Sequence, residues 1–262
     1  MHTVAIVQAR MTSTRLPGKV MADLSGRPML ARIVERLRVT SSVDEITVAT
    51  TVNEADDIVV ELADRLDVRW HRGDEHDVLG RYVGAAVESG AEAIVRITSD
   101  CPLLDSAVVD LVTRCLKSRP ADFDLVCNTT VIGYPVGLAV QAVHRDTLHR
   151  IDRMACQPHD REHVLVFATA TNPGLFRRHA VIADSDDSDI RLTVDYPADL
   201  DVIRQVYDAL DLGQRHLPYQ EVVRWLRAHP DVMRQNQHLQ TWNPCNASML
   251  MPATGEACRL ES

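Results

Sequence analysis

Short apolar runs alternate with longer segments of helical period along the first 120 residues. The apolar runs predict strands at 4–8, 46–49, 68–71 and 93–98. The segments between them place apolar residues at helical spacing and predict helices at 28–39, 56–66, 78–88 and 106–117. Regular alternation of this kind is typical of a parallel sheet covered by helices on both faces, so the pattern predicts an α/β fold.

The alternation loosens after about residue 120. Strand-like runs lie at 125–128 and 137–143, near Val181 and at 190–194, and helical patterns lie at 147–154, 162–169, 198–210 and 219–228. Because the first of these strands lack long helices between them, they predict a small mixed or antiparallel extension of the mostly parallel sheet. Residues 1–231 are therefore interpreted as one domain. Residues 232–262, rich in Gln, Asn, Pro and Met, are interpreted as a loosely ordered C-terminal tail.

Composition narrows the functional class. The net charge of −9 argues against a general nucleic-acid-binding protein, which needs a basic surface, but it leaves room for a locally basic pocket. No two of the six cysteines have the CxxC spacing that is typical of a structural zinc site. The chain shows neither a secretion signal nor an apolar run of membrane-spanning length, so we expect reduced thiols, a cytoplasmic location and no membrane partner.

The loop after the first predicted strand is the first candidate for a binding site. Its eleven residues, 9–19, contain three cations, three hydroxyl residues and one glycine. Arginine, lysine and hydroxyl groups together suit the oxygens of a triphosphate, and ligands of α/β sheets bind beyond the carboxyl ends of the strands. The loop matches neither a Walker motif nor a GxGxxG turn. A solvated basic loop is the alternative interpretation.

Two carboxylates that follow predicted strands form the second candidate. Asp100 and Asp195 each end an apolar run, and a pair of such carboxylates with phosphate oxygens and water suits Mg²⁺. Helix capping is the alternative for Asp195, and it is the favoured interpretation for Asp105. Cys101, beside Asp100, is interpreted as a buried thiol rather than a nucleophile. The acidic run 184–189 is interpreted as a solvated loop rather than a metal site.

A set of motifs resembles the cytidylyltransferase family, which includes CMP-3-deoxy-manno-octulosonate and CMP-acylneuraminate synthetases. The closest branch resembles the spore-coat polysaccharide biosynthesis type. The most specific motifs are the first, over residues 6–20, and the last, Arg191-Leu192-Thr193-Val194-Asp195. Between them lie Ala49-Thr50-Thr51 with Asp56-Asp57, Arg72-Gly73 with 77–82, 96–105, Tyr134-Pro135, Gly137-Leu138 and Glu162-His163-Val164. The resemblance covers residues 3 to about 212.

The resemblance implies a nucleotide-diphospho-sugar transferase-like fold of the GT-A type, CTP as substrate, Mg²⁺ as cofactor and a homodimer. It also implies a role for particular residues. The triphosphate would be bound by Arg10, Ser13, Arg15 and Lys19, and Asp100 and Asp195 would hold the metal. Arg15, Lys19 and Asp100 would carry catalysis, and the base or ribose would lie near Arg72 and Asp74.

One departure from the family pattern concerns the acceptor. After Tyr134-Pro135 the related sequences carry carboxylates at two positions that are Ala139 and Gln141 here. We therefore expect CMP transfer from CTP to an unusual acidic acceptor, a sugar acid or a phosphonate, with release of pyrophosphate. Two alternatives remain at this stage: a glycosyltransferase that uses a nucleotide-sugar on the same fold, and a non-catalytic nucleotide-binding protein.

Overall fold

The structure of the protein, a computed structural model, describes residues 1–239. Its strands are β1 Thr3–Gln8, β2 Asp23–Leu24, β3 Arg27–Pro28, β4 Glu45–Thr51, β5 Arg69–Gly73, β6 Ala93–Thr98, β7 Leu125–Cys127, β8 Gln141–His144 and β9 Arg178–Ala180. Its helices are α1 Met29–Arg38, α2 Asp57–Arg65, α3 Val78–Glu88, α4 Ser106–Ser118, α5 Arg145–Met154, α6 Pro158–Glu162, α7 Pro197–Ala209, α8 Tyr219–Ala228 and α9 Pro230–Gln237.

Seven strands form one sheet in the order β5-β4-β1-β6-β8-β7-β9. Strands β5, β4, β1 and β6 pair in parallel, and β8 runs antiparallel to its neighbours β6 and β7. The two shortest strands, β2 and β3, form a separate antiparallel pair. The predicted α/β fold, with a mostly parallel sheet and a small antiparallel part, is confirmed.

Helices cover both faces of the sheet because the central strands are apolar on both sides. In β1, Ala5 and Val7 pack with the core of α1, α4 and α7, whereas Val4 and Ile6 pack with α3 and α5. All four side chains are fully buried. A strand buried on both faces has a continuous apolar sequence instead of an alternating one. For this reason the apolar run in β1 predicts the strand correctly.

Three predicted elements differ from the structure. The run 190–194 forms no strand in the described chain and makes only the isolated bridge between Val136 and Arg191. The predicted strand 137–143 is shortened to β8. The predicted helix 162–169 is instead the end of α6, a bend with Val164 in the left-handed region (φ 58°), and a π-helical turn at Phe167–Thr171.

The predicted boundary of the C-terminal tail falls inside a helix. Helix α9 spans Pro230–Gln237 and packs against α7, with Asn236 buried, so the ordered chain continues past residue 231. Residues 240–262, on which the rest of that prediction falls, lie outside the described residues. No helix within residues 1–239 combines the length and the apolar character that a membrane crossing requires.

Candidate active site

A cavity of about 600 Å³ opens at the carboxyl ends of β1 and β6. The chain passes from β1 outward to β4 and β5 and then returns to place β6 on the other side of β1. This reversal of strand order leaves a crevice between the loops that follow β1 and β6, which is where open α/β sheets bind their ligands. Arg10, Ser13, Arg15, Lys19, Asp100 and Asp195 all line the cavity, although they come from three distant parts of the sequence.

The loop after β1 is held in place by main-chain hydrogen bonds at both ends. Met11 donates its N–H to the Asp56 carboxylate (2.6 Å), and Gly18 donates its N–H to the carbonyl of Met11 (2.8 Å). Gly18 has φ 72°, a left-handed conformation that glycine adopts without steric cost. The turn places Lys19 at the start of a short 3₁₀ segment, with its side chain directed into the cavity.

Lys19 lies between the two predicted metal-binding carboxylates. Its Nζ is 3.0 Å from Asp195 Oδ1 and 3.4 Å from Asp100 Oδ2, and it donates to the carbonyl of Val194 at 2.7 Å. Burial by itself would lower the pKa of Lys19, but the charges of Asp100 and Asp195 outweigh it and raise that pKa above its ordinary value. The two carboxylates therefore converge on one point and share one cation.

Asp100 is stabilised as an anion by its neighbours. Burial would raise the pKa of Asp100, but the Lys19 charge and a hydrogen bond from Thr98 Oγ1 (2.5 Å) lower it below the usual range. Burial and the negative charge of Asp100 raise the pKa of the Cys101 thiol well above its ordinary value. Cys101 is thus a buried, protonated thiol, as predicted.

Asp195 is surrounded by cations and does not cap the following helix. Arg15 approaches Asp195 Oδ1 to 2.8 Å, with its guanidinium over the Tyr196 ring, and Arg191 approaches Oδ2 to 3.3 Å. Asp199 instead caps α7, accepting the N–H groups of Asp195 (2.9 Å) and Tyr196 (3.0 Å). The Asp195 side chain is consequently available to the cavity. The predicted cap by Asp105 is confirmed by its bonds from the N–H groups of 107 and 108.

Arg10 lies at the rim of the cavity, next to two acidic residues. Its guanidinium is 3.5 Å from Glu75 Oε1 and 3.9 Å from Glu162 Oε1. Hydrogen bonds from Thr12 and Asn53 lower the pKa of Glu75 and keep it ionised. Arg10 is therefore held at the rim by acceptors that a phosphate can replace.

Two predicted site residues, Arg72 and Asp74, do not line the cavity. Arg72 donates to the carbonyls of Thr51 and Asn53 and to the Asp57 carboxylate, each at 2.7 Å, and so ties β5 to the loop after β4. Asp74 accepts the N–H groups of residues 76 and 77 in a local turn. Their proximity to the base or ribose stays a prediction, and in the structure both side chains are engaged with main-chain groups.

Arg81, Arg96 and His163 are among the cavity residues that were not assigned a role from the sequence. Arg81, which is 2% exposed, donates to the carbonyls of Asp74 (2.6 Å) and Glu75 (2.9 Å). Arg96 enters from β6, and His163 lies beyond α6. An arginine inside an apolar strand, as in 93–98, is costly unless it is paired, and that signal could have identified Arg96.

The His163 imidazole is neutral at neutral pH. Burial, reinforced by the nearby charges of His159 and Arg96 and opposed by Glu162, lowers the pKa of His163 to about 4. Its ring packs edge-on against His159 at 4.7 Å. His163 consequently contributes a polar but uncharged group to the cavity.

The Asp100–Asp195 pair suits a divalent cation bound together with phosphate. Within residues 1–239 no group of three or more His, Cys, Asp or Glu side chains could hold a metal by protein ligands alone. Mg²⁺ characteristically binds one or two carboxylates plus phosphate oxygens and water, and the two carboxylates already face a common cation in a polar cavity. The residues therefore fit Mg²⁺ if Lys19 turns toward the phosphates.

A second depression, of about 790 Å³, lies beside β5 and is a poor candidate for phosphate. Asp44, Glu45, Asp64, Asp67 and Glu88 line it, against only two arginines. An acidic wall repels a triphosphate, so the chemistry points to the cavity between β1 and β6.

Comparison with known proteins decides the family. Residues 4–226 match the cytidylyltransferase family profile, which covers most of the chain. The chain belongs to the cytidylyltransferase family. This confirms the resemblance found in the sequence and makes the protein a nucleotidyltransferase, as predicted.

Individual relatives agree with this assignment. The spore coat polysaccharide biosynthesis protein SpsF of Bacillus subtilis is 29% identical over 88% of this chain and 97% of its own length. A cytidylyltransferase structure from Leptospira borgpetersenii serovar Hardjo-bovis is 28% identical, covers 92% of this chain and 100% of its own, and has a TM-score of 0.86. The fold also matches CMP:2-keto-3-deoxy-manno-octonic acid synthetase complexed with CTP (20% identity, 80% of this chain and 100% of the other, TM-score 0.59).

Proposed function

We propose that this cytidylyltransferase uses Mg²⁺ to transfer CMP from CTP to a small acidic acceptor, a sugar acid or a phosphonate, with release of pyrophosphate. The observation that carries the proposal is the convergence of Lys19, Asp100 and Asp195 in one cavity, with Arg10 and Arg15 beside them. CTP as the nucleotide is supported by the family and by the related synthetase whose structure contains CTP.

The reaction is an in-line displacement at the α-phosphorus. An acceptor oxygen forms a bond to the α-phosphorus while the bond to the bridging oxygen breaks, and its electron pair leaves with pyrophosphate. The proton of an acceptor hydroxyl passes to solvent, and an acceptor that is already anionic has none to lose. Because the protein mainly positions the groups and stabilises charge in such reactions, the site needs no strong general base.

Each residue of the cluster has a role in that displacement. Arg15 and Lys19 neutralise the charge that builds up on the leaving pyrophosphate, while Arg10 and the hydroxyl of Ser13 bind the outer phosphate oxygens. Asp100 and Asp195 would hold Mg²⁺, which supplies Lewis-acid stabilisation of the phosphate charge when bound. Lys19 exchanges its two carboxylate partners for phosphate oxygens when the nucleotide enters.

The assembly and location form a separate part of the proposal. We infer a homodimer in the cytoplasm, on the resemblance of the sequence motifs to the family. Sedimentation velocity at micromolar concentration tests the homodimer, and a single species at 29.2 kDa, the mass of one chain, would contradict it.

The first test combines ligand binding with turnover. Thermal unfolding is measured with CTP, UTP, GTP and ATP, each with and without Mg²⁺, because a ligand of the folded state raises stability by mass action. Pyrophosphate release is then followed with a panel of sugar acids and phosphonates. A Mg²⁺-dependent shift for CTP alone is the expected result, and no shift with any triphosphate would refute the nucleotide site.

A variant of Asp100 tests the metal assignment. We expect Asp100→Asn to lower pyrophosphate release by roughly 100-fold or more, because removing one electrostatic stabiliser of a transition state has an effect of that size. Asp201→Asn, an exposed carboxylate on α7, is the matched control and should retain activity. Full activity of Asp100→Asn in a folded protein would rule out the role of Asp100 in metal binding.

A further inference from the structure

A second cation, Arg96, lies in the wall of the same cavity at a distance from the nucleotide cluster. Arg96 is on β6 and stands directly opposite Gln141 of β8 in the antiparallel pair. Opposed residues in such a pair share a face of the sheet, and both side chains line the cavity. Gln141 is 5% exposed, so the contact between them is largely shielded from bulk water.

The hydrogen-bond partners of Arg96 are neutral side chains. Its Nη1 donates to Gln141 Oε1 at 2.9 Å, and its Nη2 donates to Gln8 Oε1 at 3.4 Å. Its Nε is buried and has no hydrogen-bond partner in the described part of the chain. Gln141 Nε2 donates to Thr129 Oγ1 at 3.0 Å, which fixes the amide with its oxygen toward the guanidinium.

No carboxylate within residues 1–239 forms an ion pair with Arg96, in contrast to Arg10, Arg15 and Lys19, which each have acidic partners. A half-buried guanidinium without a counter-ion is a favourable partner for an anion that enters the cavity. A carboxylate in place of Gln141 would supply the counter-ion internally, at the position that now contacts the guanidinium. The neutral Gln141 leaves the charge of Arg96 for a ligand.

Arg96 lies close to the residues that support the proposed metal site. Arg96 and Thr98 are two residues apart on β6 and share a face of that strand. Thr98 donates a hydrogen bond to Asp100, one of the two proposed metal-binding carboxylates. An acceptor whose anionic group binds Arg96 would therefore lie on the same side of the sheet as the proposed metal position.

We propose that Arg96 binds the anionic group of the acceptor and that Gln141 determines this specificity by remaining uncharged. The proposal rests on the proposed function, since it concerns the acceptor of the same reaction. It assigns the acceptor a carboxylate or phosphonate that binds the Arg96 guanidinium.

The test compares acceptors that differ only in charge. Binding of 3-deoxy-manno-octulosonate and N-acetylneuraminate is measured by calorimetry against their C1 carboxamides, and 2-hydroxyethylphosphonate against its neutral diester. We expect the wild-type protein to bind the acids more tightly than the neutral forms by about 10- to 100-fold, the value of one charge-assisted interaction. Comparison of the sugar acids with 2-hydroxyethylphosphonate also shows whether the site prefers a carboxylate or a phosphonate.

Two variants change the charge at this position in opposite ways. Arg96→Gln removes the cation, and Gln141→Glu retains Arg96 and gives it an internal counter-ion at the 2.9 Å contact. Both should abolish the preference for the acid while leaving the CTP-induced thermal shift unchanged. Gln205→Glu on α7 and Arg65→Gln, an exposed residue on α2, are the charge-matched controls.

The outcomes separate this proposal from the proposed function. A wild-type protein that shifts with CTP but binds no acid better than its neutral form overturns the role of Arg96 and leaves the nucleotide chemistry intact. Retention of the preference in Gln141→Glu overturns it as well, and that variant remains informative if Arg96→Gln fails to fold. Absence of the CTP shift in the wild type overturns the proposed function itself.

Discussion

Lys19 illustrates at the residue scale how the site is stabilised before a ligand binds. Two partly buried carboxylates that face each other would be strongly destabilising without a cation between them. Lys19 supplies that cation from the loop after β1, at 3.0 and 3.4 Å from the two side chains. In the proposed reaction the lysine gives way to a divalent cation and moves to the phosphates, so one residue would have a part in both states.

Replacement of Lys19 by methionine should expose this exchange. In Lys19→Met the two carboxylates lose their shared cation, so we expect Mg²⁺ alone to raise the melting temperature more than it does in the wild type. Pyrophosphate release should fall by roughly 100-fold, because one charge on the leaving group is no longer neutralised. Lys117→Met on α4 is the control. An equal rise in melting temperature with Mg²⁺ in Lys19→Met and in the wild type would show that Lys19 and Mg²⁺ do not compete for the two carboxylates.

At the scale of elements, the segment that carries Asp195 is held by other loops rather than by a sheet. Leu192 donates its N–H to the carbonyl of Val136 (2.6 Å), and Val194 donates to the carbonyl of Asp100 (2.8 Å). These two main-chain hydrogen bonds hold Asp195 beside Asp100. They also bring Gly137 so close that a Cβ there would lie 2.5 Å from the Thr193 nitrogen.

Gly137→Ala should therefore be more damaging than an ordinary glycine replacement. Gly137 has φ 107°, and alanine there adds a steric clash with the main chain to the cost of a positive φ. We expect a loss of about 3 kcal/mol or more in urea unfolding. Gly26→Ala is the control, since its φ is 82° but no atom lies within 4 Å of the added Cβ, so its loss should be about 1–2 kcal/mol. Equal losses would mean that the close approach does not matter.

At the scale of the whole molecule, several lowered pKa values make stability depend on pH. Hydrogen bonds and ion pairs lower the pKa values of Asp77, Asp100, Asp124 and Asp199 against the opposing effect of burial. A carboxylate with a lowered pKa in the folded state contributes stability above its unfolded pKa and loses it as the pH falls through the folded value. We therefore expect the free energy of unfolding to fall as the pH drops through the lowered pKa values of these carboxylates.

His163 adds a loss of stability at a pH higher than that at which the carboxylates titrate. Its folded pKa of about 4 lies below the ordinary value of 6.5, so the unfolded state binds more protons between these values and stability declines as the pH falls from 6.5 to 4. His163→Gln should remove on the order of 2–3 kcal/mol of that decline. Urea unfolding at half-unit pH steps measures it, with the exposed His76→Gln as the control. Identical slopes in wild type and His163→Gln would contradict the prediction.

Agreement between sequence and structure follows the range of the interactions involved. Apart from the two-residue strands β2 and β3, which were not predicted, the strands and α-helices from β1 to α4 were predicted closely, because their apolar period is local and both faces of the central strands are buried. The strand predicted at 190–194 is wrong because this segment is buried by contacts with residues near 100 and 136. An apolar run in a sequence does not show which distant residues it will contact. The helix predicted at 162–169 failed where the bend at Val164 interrupts the pattern.

The sequence by itself determined the fold class, the family and six of the residues that line the cavity, since these depend on local periodicity and on motifs of contiguous residues. Only the tertiary structure decided that Arg72 and Asp74 lie outside the cavity while Arg81 and Arg96 lie inside it. It also placed Lys19 between Asp100 and Asp195 and left Arg96 opposite a neutral amide. The physical reason is that the partner of a charge is set by strand order and by the face a side chain occupies, and both depend on residues far apart in the chain.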